Sequence, residues 1–441
     1  MLEPPLLLLR GLRVPLRLKV GTLLVLALVL LSAAFLGADR KAFLPGTTSD
    51  GHHVFEESCR SCHDPFRGVA AARCASCHPP DRGPDTHTAA LFDDPRWAAT
   101  LARLDARECV SCHAEHRRAD GGVTVDPGFC FPCHDDVPAK RASHASFAPT
   151  SCGRAGCHNY HDNSALNVAF LTRHAAEPDR LAAPVTLERT MPSPQPAPDV
   201  RFPPGEPHDP ELVARWRASA HAGAGVGCPE CHDPQQRGFR RTPSDDPCAR
   251  CHAYEDRTFR SGKHGVRRAA DLSDLTPRAA RLPMREAAPS HLRCSTCHDA
   301  HSVDTRRAAV EACLSCHDDA HSRAYLESPH GRAWRNGPAT ARPAADAVTC
   351  ATCHLPRIET QDEGKRRVAV DHRNTLTLRP PDRMAKRVCM GCHGLPLALA
   401  SLLDERLVET NFKGRPARTA EAVDMVRALA EEASAHNGGT R

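Results

Sequence analysis

The chain has 441 residues, a length that suggests two or three domains. Aromatic residues make up only 4% and hydrophobic residues 41%, and there are 38 prolines, which excludes a large side-chain core of the ordinary kind. The formal charge of +5 is small for this length and gives no reason to expect a nucleic-acid partner.

Residues 1–41 read as a leader. Four basic side chains precede Val20 to Gly37, an uncharged and mostly apolar run. The run fits a signal peptide, with Ser32 to Ala34 as a usable cleavage site, or an uncleaved membrane anchor. We favour the anchor, because the run is long enough to span a bilayer with little tilt. In both cases the positive charge stays inside, so the rest of the chain is predicted to face the periplasm.

The motif C-x-x-C-H recurs ten times after the leader, and a stretched C-x4-C-H makes an eleventh copy. Together the eleven cysteine pairs account for all 22 cysteines. No cysteine is left for a disulfide or a catalytic nucleophile. In chain order the copies are Cys59/Cys62/His63, Cys74/Cys77/His78, Cys109/Cys112/His113, Cys130/Cys133/His134, Cys152/Cys157/His158, Cys228/Cys231/His232, Cys248/Cys251/His252, Cys294/Cys297/His298, Cys313/Cys316/His317, Cys350/Cys353/His354 and Cys389/Cys392/His393, and they are called motifs one to eleven below.

This motif is the attachment sequence of c-type haem. Its two thiols form thioethers with the porphyrin, and its histidine ligates the iron. On one helical turn, positions i, i+3 and i+4 share a face, so sulfurs and imidazole can reach the same ring. Zinc ribbons also use C-x-x-C, but they need no histidine after every second cysteine. A disulfide framework imposes no repeated spacing. We therefore predict eleven covalently attached haems.

Eleven haems change the expected core. The exported chain has only roughly 36 residues per haem, so the haems themselves are predicted to form the core and side chains to wrap them. The fold class expected is mostly α with extensive loop, haem-packed, with little or no β-sheet. The arginines suit bidentate pairing with haem propionates, which again needs no nucleic acid.

Residues 42–174 hold motifs one to five, whose short spacing keeps neighbouring haems close. In motif style, including the stretched copy at Cys152 to His158, this segment resembles the class III cytochrome c3 and c7 type. The resemblance implies short helices and loops around haems with two histidine ligands.

Residues 175–210 contain ten prolines and no cysteine. Such a segment cannot be a regular helix or a central strand. It is predicted to be a linker or a strap that wraps a haem module, with the strap slightly favoured.

Residues 211–415 hold motifs six to eleven. Around them lie W-x-x-S-A-H at Trp216 to His221, G-K-H-G at Gly262 to Gly265, S-P-H-G at Ser328 to Gly331 and T-C-A-T-C-H at Thr349 to His354, followed by His372 and Asn411-Phe412. Together these features resemble the hydroxylamine oxidoreductase family and its octahaem relatives, which implies a similar haem-packing scheme. The segment has six motifs rather than eight. The oxidative enzymes of that family also need a tyrosine linked to the catalytic haem, and none of Tyr160, Tyr254 and Tyr325 has a matching setting.

The C-terminal part contains two predicted helices, Leu395–Phe412 and Thr419–Ala435, the second with Thr419 as a possible N-cap. Residues 416–441 are predicted to be a helical tail that packs on the protein or dimerises.

Of 27 histidines, 16 lie outside the motifs, which is more than the eleven needed for a second ligand at every haem. A histidine three or four residues after a motif histidine cannot share its iron, so it is predicted to ligate an adjacent haem. One of His52 and His53 is expected to ligate, and we select His53. His208 and His436 are expected not to. The predicted distal ligands are His53, His87, His116, His144, His161, His174, His221, His264, His291, His301, His321, His330 and His372.

A haem with two protein ligands has no open site and can only pass electrons. The expected function is therefore a periplasm-facing undecahaem cytochrome, held on the inner membrane or released if the leader is cleaved. It would carry electrons from a quinol-linked membrane donor to a periplasmic or outer-membrane acceptor. The alternative is an oxidoreductase of the hydroxylamine oxidoreductase type, acting on a small nitrogen or sulfur compound at one open haem. Its catalytic residues are not assigned.

Overall fold

A computed structural model of the chain describes residues 15–37, 43–78, 87, 89–117, 128–145, 148, 152, 157, 160–162, 165–188, 193–200, 209–233, 239–277, 280–338, 347–362, 364–378 and 380–438. All structural statements below concern these residues.

Short α-helices predominate, which confirms the predicted mostly α fold. In the first half they are α1 Leu16–Gly37, α2 Ala71–Ala75, α3 Ala89–Phe92, α4 Ala98–Arg103, α5 Cys109–Cys112, α6 Phe131–His134, α7 Val137–Lys140, α8 Val168–His174, α9 Pro210–Arg217, α10 Ala220–Gly223, α11 Pro229–His232 and α12 Asp246–Cys251. In the second half they are α13 Ala253–Ser261, α14 Val266–Ala269, α15 Cys294–Cys297, α16 Thr305–Ala309, α17 Glu311–Leu314, α18 Ala320–Ala324, α19 Pro329–Asn336, α20 Cys350–His354, α21 Pro381–Arg387, α22 Leu395–Leu403, α23 Glu405–Glu409 and α24 Glu421–Gly438. Short 3-10 helices cover His53–Phe55, Cys59–Ser61, Pro95–Trp97, Ala142–His144, Tyr325–Glu327 and Cys389–Gly391.

Most of the described motifs form a single helical turn, as the spacing predicts. The amide of His298, for example, donates to the carbonyl of Cys294 at 2.9 Å, and His317 donates likewise to Cys313 at 2.9 Å. This i to i−4 bond places both cysteines and the histidine on one face of the turn.

At motifs two and nine the α-helix ends before the second cysteine, as the 3-10 helix does at motifs one and eleven, and at motifs four and six the helix begins after the first cysteine. Helix α2 stops ahead of Cys77 and helix α17 ahead of Cys316, which differs from the predicted placement of both sulfurs on one helix. The turn nevertheless continues through backbone bonds, because the amide of Cys77 donates to Cys74 at 3.2 Å and that of Cys316 to Cys313 at 3.1 Å. These i to i−3 bonds are the tighter kind that closes many helices.

The described β-structure is small. β1 His63–Asp64 pairs with β2 Gly68–Val69, and β3 Arg357–Asp362 pairs with β4 Lys365–Val370, both antiparallel. In the longer hairpin Arg357 lies opposite Val370 and Asp362 opposite Lys365. The prediction of little β-sheet is confirmed. The hairpin runs directly into His372 and so fixes where that side chain lies.

The largest described cluster of buried side chains joins residues 166–175 to the C-terminal helices. Leu166 and Leu171 of the first half pack with Leu395, Val423 and others of the C-terminal helices. The members are Leu166, Leu171, Ala175, Leu395, Leu399, Ala420, Ala422, Val423 and Val426, with Cys157, Phe170, Met390 and Met425 packed against them. We call this set the junction core.

The observed C-terminal helices differ from the predicted ones in two details. The first is broken at Asp404, whose extended backbone ends α22 and whose carboxylate caps α23 by accepting from the Leu407 amide at 3.1 Å. The second begins at Glu421 rather than at Thr419. Thr419 bonds the carboxylate of Asp424 and does not cap the helix, so its proposed role was wrong.

The Pro-rich segment lies against the second module over the part that the structure describes. The amide of Leu181 donates to the carbonyl of Cys392 at 2.9 Å, and that of Val185 to Gly391 at 2.8 Å. Farther along, the amide of Gln195 donates to Gly223 at 2.6 Å. These contacts show where this part of the chain runs, whereas the predicted domain division stays a prediction.

Helix α1 carries exposed leucines and valines along the apolar run of the leader. In the part of the chain described here, no helix is both long and apolar enough to cross a membrane.

Candidate haem-binding sites

Ten motif histidines face a second histidine across a gap of nearly constant width. The ring centroids of each pair lie between 5.7 and 6.3 Å apart. With the motif histidine named second, the pairs are His52–His78 (5.7 Å), His116–His63 (6.3 Å), His87–His134 (6.1 Å), His161–His113 (6.0 Å), His301–His232 (6.1 Å), His221–His252 (6.2 Å), His372–His298 (6.3 Å), His264–His317 (6.1 Å), His321–His354 (6.1 Å) and His330–His393 (6.2 Å).

This width fits an iron held between two imidazoles. A metal-to-imidazole bond is about 2 Å, and a ring nitrogen lies about 1 Å from its ring centroid. Two such ligands on opposite sides of one iron put their centroids about 6 Å apart. The residues present therefore fit a haem with two histidine ligands at ten of the eleven motifs.

Four of the pairs use a histidine that closely follows another motif. His116 follows His113 but faces His63, and His161 follows His158 but faces His113. His301 faces His232, and His321 faces His354. Each of these side chains thus links its own motif to a different one, as the spacing predicts.

The second ring nitrogen of many of these histidines is held by a backbone carbonyl. The Nδ1 of His393 lies 2.7 Å from the oxygen of Asp179, that of His232 2.6 Å from Arg240, and that of His372 3.0 Å from Val370. His116, His87, His221 and His321 bond the carbonyls of Gly46, Tyr160, Ala300 and Val408 in the same way. Donation by Nδ1 leaves Nε2 available to ligate and fixes the ring's orientation. His321 differs, because its Nε2 also lies 3.2 Å from the amide nitrogen of Asn411.

Close backbone contacts explain why glycine occurs in two of the sequences that flank the motifs. In S-P-H-G, a Cβ on Gly331 would collide with the carbonyl of Tyr325. In G-K-H-G, a Cβ on Gly262 would lie 2.5 Å from the carbonyl of His372. These glycines allow close backbone approach beside His330 and His264, which face motif histidines.

At motif two the histidine that faces His78 is His52, and the predicted ligand His53 is not in a described pair. His52 faces His78, with 3.4 Å between their Nε2 atoms, whereas the ring of His53 bonds the carbonyl of Asp50. The cause is Glu115, whose carboxylate lies 2.6 Å from Nδ1 of His52 and holds that ring in place. Sequence reasoning missed Glu115, although a carboxylate between His113 and His116 is a signal that could have found it.

Three other predicted distal ligands are not among the ten described pairs. His291 lies 3.1 Å from the carboxylate of Asp274, and His174 lies 2.6 Å from that of Glu177. His144 lies 2.9 Å from the Ser143 hydroxyl. The remaining motif histidine, His158, lies outside the described residues, as do His208 and the side chain of His436.

Burial changes the pKa of several of the paired histidines. It lowers the pKa of His264, His298 and His354 to about 4 each, so these imidazoles are neutral near pH 7. Only a neutral imidazole can ligate a metal. Burial raises the pKa of the Cys297 and Cys353 thiols to about 11. Surroundings that favour an uncharged sulfur suit a thioether better than a zinc thiolate.

The cysteines of consecutive motifs lie beside one another. The side chains of Cys248 and Cys294 lie next to each other, and so do those of Cys313 and Cys350. Cys74 and Cys109 are neighbours in the same way in the first half. Attachment points this close would place successive haems near one another.

Two motif cysteines have a serine neighbour that the sequence reasoning did not foresee. The hydroxyl of Ser76 donates to Sγ of Cys77 at 3.8 Å, and that of Ser315 lies 3.6 Å from Sγ of Cys316. The cause is adjacency in the chain at the end of a helical turn. Because a thioether sulfur remains a weak acceptor, this contact is compatible with haem attachment.

The three tyrosines are bonded to protein groups in the structure. The hydroxyl of Tyr160 donates to Ala106 at 2.8 Å, that of Tyr325 to Val348 at 2.8 Å, and that of Tyr254 to the Asp371 carboxylate at 3.0 Å. Within the described ranges, no group of three or more His, Cys, Asp or Glu side chains could hold a metal ion directly.

Comparison with protein-family models, with curated proteins and with solved structures found no match to this chain. The likeness to the cytochrome c3 and hydroxylamine oxidoreductase families therefore stays a prediction from the motifs.

Proposed function

We propose that the protein is a c-type cytochrome with eleven covalently bound haems that transfers electrons. The observation that carries the proposal is the set of ten histidine pairs, each joining a motif histidine to a second imidazole about 6 Å away. Bound haem supplies one-electron redox chemistry. The chain's part is to hold both axial positions, so that a small molecule finds no vacant one at these motifs.

The surroundings of the pairs support electron transfer further. The second ring nitrogens are fixed by carbonyls, as at His232 and His393, so the ligands are positioned before any redox change. Rigid ligands keep reorganisation small when the charge of a site changes. Contacting cysteines, as at Cys313 and Cys350, keep neighbouring motifs close.

We further propose that the leader holds the protein at the inner membrane with the haem modules on the periplasmic side. The basic residues before the apolar run of α1 support this orientation. The donor would be a quinol-linked membrane protein, and the acceptor a periplasmic or outer-membrane reductase.

Electron paramagnetic resonance of the oxidised, fully haem-loaded protein tests the proposal. Two imidazole ligands give low-spin ferric haem, and we expect all eleven haems to be low-spin. Adding nitrite, hydroxylamine or sulfite should leave the spectrum unchanged. A high-spin haem that shifts with one of these ligands would contradict the proposal. It would indicate instead an enzyme of the hydroxylamine oxidoreductase type, with that ligand naming the substrate class.

A further inference from the structure

We infer that Glu115 is a positioning residue that lowers the reduction potential of the haem at motif two. This inference rests on the proposed electron-transfer function and adds to it a side chain that tunes one haem. Glu115 does not ligate the iron itself. It acts through His52, whose Nδ1 lies 2.6 Å from a carboxylate oxygen of Glu115.

The two ring nitrogens of His52 have separate partners. Its Nε2 lies 3.4 Å from Nε2 of the motif histidine His78, so Nε2 is the atom that faces the iron position. The other nitrogen, Nδ1, is within hydrogen-bond distance of Oε1 of Glu115. When Nε2 binds a metal, Nδ1 carries the proton and donates it to the hydrogen bond. Glu115 and His52 therefore form the outer two members of a carboxylate–histidine–iron series.

The acceptor at His52 carries a full negative charge. Nδ1 of His393, in contrast, faces the neutral backbone carbonyl of Asp179. An ionised acceptor makes a shorter and stronger hydrogen bond than a neutral one, and it raises the basicity of the imidazole. A more basic ligand favours the ferric state, which has the higher charge. The reduction potential of that haem is lowered as a result.

Ser49 holds both partners of this bond. Its amide donates to Oε2 of Glu115 at 2.7 Å, and its hydroxyl donates to Oε1 at 2.8 Å. Its carbonyl accepts from the backbone amide of His52 at 3.0 Å. The side chains of Glu115 and His52 are 26% and 35% exposed, so solvent screens their contact only in part. The carboxylate and the ring are thus fixed relative to each other before any redox change.

The segment around Glu115 is fixed at both ends. His113 is the motif histidine of motif three, and His116 faces the motif histidine of motif one. His116 has a φ of 65°, a left-handed conformation that is uncommon outside glycine and persists only where other contacts hold it. One such contact joins its Nδ1 to the carbonyl of Gly46 at 3.1 Å. This short segment therefore reaches motifs one, two and three.

A redox titration of the haem-loaded full chain tests the inference. Glu115→Gln keeps the size of the side chain and an oxygen that can accept from Nδ1, but it removes the negative charge. We expect one haem of the eleven to move to a higher midpoint potential while the others stay in place. On reduction the site gains one electron, and the proton on Nδ1 stays in the hydrogen bond.

Three results would count against these ideas in different ways. Unchanged midpoints in Glu115→Gln would overturn the inference and leave the proposed function intact. A new high-spin haem in the electron paramagnetic resonance spectrum of Glu115→Gln would also overturn it, because Glu115 would then only keep the ligand in place. If the loaded wild-type protein shows no reversible haem reduction, the proposed function itself fails.

Asp50→Asn is the matched control. It removes the same charge close to His52, but the carboxylate of Asp50 pairs with Arg281 at 2.6 Å. Asp50 is also 65% exposed, so its charge is well screened. We expect the midpoints of this variant to stay close to those of the wild type. A shift as large as that of Glu115→Gln would indicate an effect of net charge alone and would overturn the inference.

A background without His52 shows whether Glu115 acts through that ring. In His52→Ala the haem at motif two keeps only His78 and should become high-spin. Adding Glu115→Gln to this variant should leave the midpoints where His52→Ala places them. A further rise as large as that in the intact chain would overturn the inference, because the effect would not pass through His52.

A second measurement remains decisive even if a variant does not assemble. An experimental structure of the haem-loaded wild-type protein should show Nε2 of His52 on the iron of motif two and Nδ1 on the carboxylate of Glu115. A structure with His53 on that iron, or with Glu115 bonded away from His52, would overturn the inference.

Discussion

The side chain of His372 shows what each axial residue contributes. Its Nδ1 is held by the carbonyl of Val370 at 3.0 Å, and its ring faces that of His298 across 6.3 Å. Strand β4 brings it there from far along the chain. The ring of His372 thus has a fixed orientation, and the fold places it beside a histidine that is distant in the chain. Ligation needs both.

Replacing His372 with alanine should open one axial position. We expect His372→Ala to convert one haem of the eleven from low-spin to high-spin, because the iron at motif eight keeps only His298. Added imidazole should restore the low-spin signal. Electron paramagnetic resonance of the oxidised protein measures both effects.

His291→Ala is the matched control, since this exposed histidine contacts the carboxylate of Asp274 and is not in a described pair. It should leave the spin-state count unchanged. The absence of a high-spin haem in His372→Ala would refute the assignment of His372 as the ligand, whereas a high-spin haem in the control would assign His291 as a ligand too.

At the scale of elements, helix length is set by the motifs. Most helices around them are one or two turns long, because each motif needs only one turn and prolines or glycines follow closely. Such short helices are not stable alone. Their stability must come from what they pack against, which at α8 is the junction core.

The junction core gives a stability prediction for α8. Leu171 is fully buried, so Leu171→Ala should cost about 2–5 kcal/mol through lost burial and the cavity left behind. Thermal unfolding of the haem-loaded protein should show a clear drop in midpoint.

Val168→Ala on the same helix is the control, because Val168 is 37% exposed. It should change the midpoint little. Equal effects of the two substitutions would show that α8 does not depend on this core for its stability.

For the whole molecule, the described core is small for a chain of this length. Few large side chains are fully buried, and they fall mainly in the junction core and in a cluster of Val310, Tyr325 and Trp334. Apolar burial rather than helix propensity stabilises short helices, so under the proposed function the haems would supply the rest of the interior.

Protein made without haem attachment should therefore be largely unfolded. Circular dichroism of the haem-free full chain should show much less helix than the haem-loaded protein measured under the same conditions. The reason is the one that applies to small metal-dependent domains, in which the bound group supplies most of the folding energy. A haem-free chain with the helix content of the loaded protein would contradict this.

The sequence alone determined the local chemistry. A motif occupies five residues, or seven in the stretched copy, so all eleven attachment sites and the mostly α fold could be predicted from spacing. Nine of the thirteen distal histidines predicted from the sequence do face a motif histidine.

Only the tertiary structure decided which histidine faces which motif, because each pair joins segments that are distant in the chain. His52 is held beside His78 by Glu115, which follows motif three. The junction core joins Leu166 and Leu171 to the C-terminal helices by apolar packing. Neighbouring residues define the motifs, but packing between distant segments decides which histidines face each other and where the junction core lies.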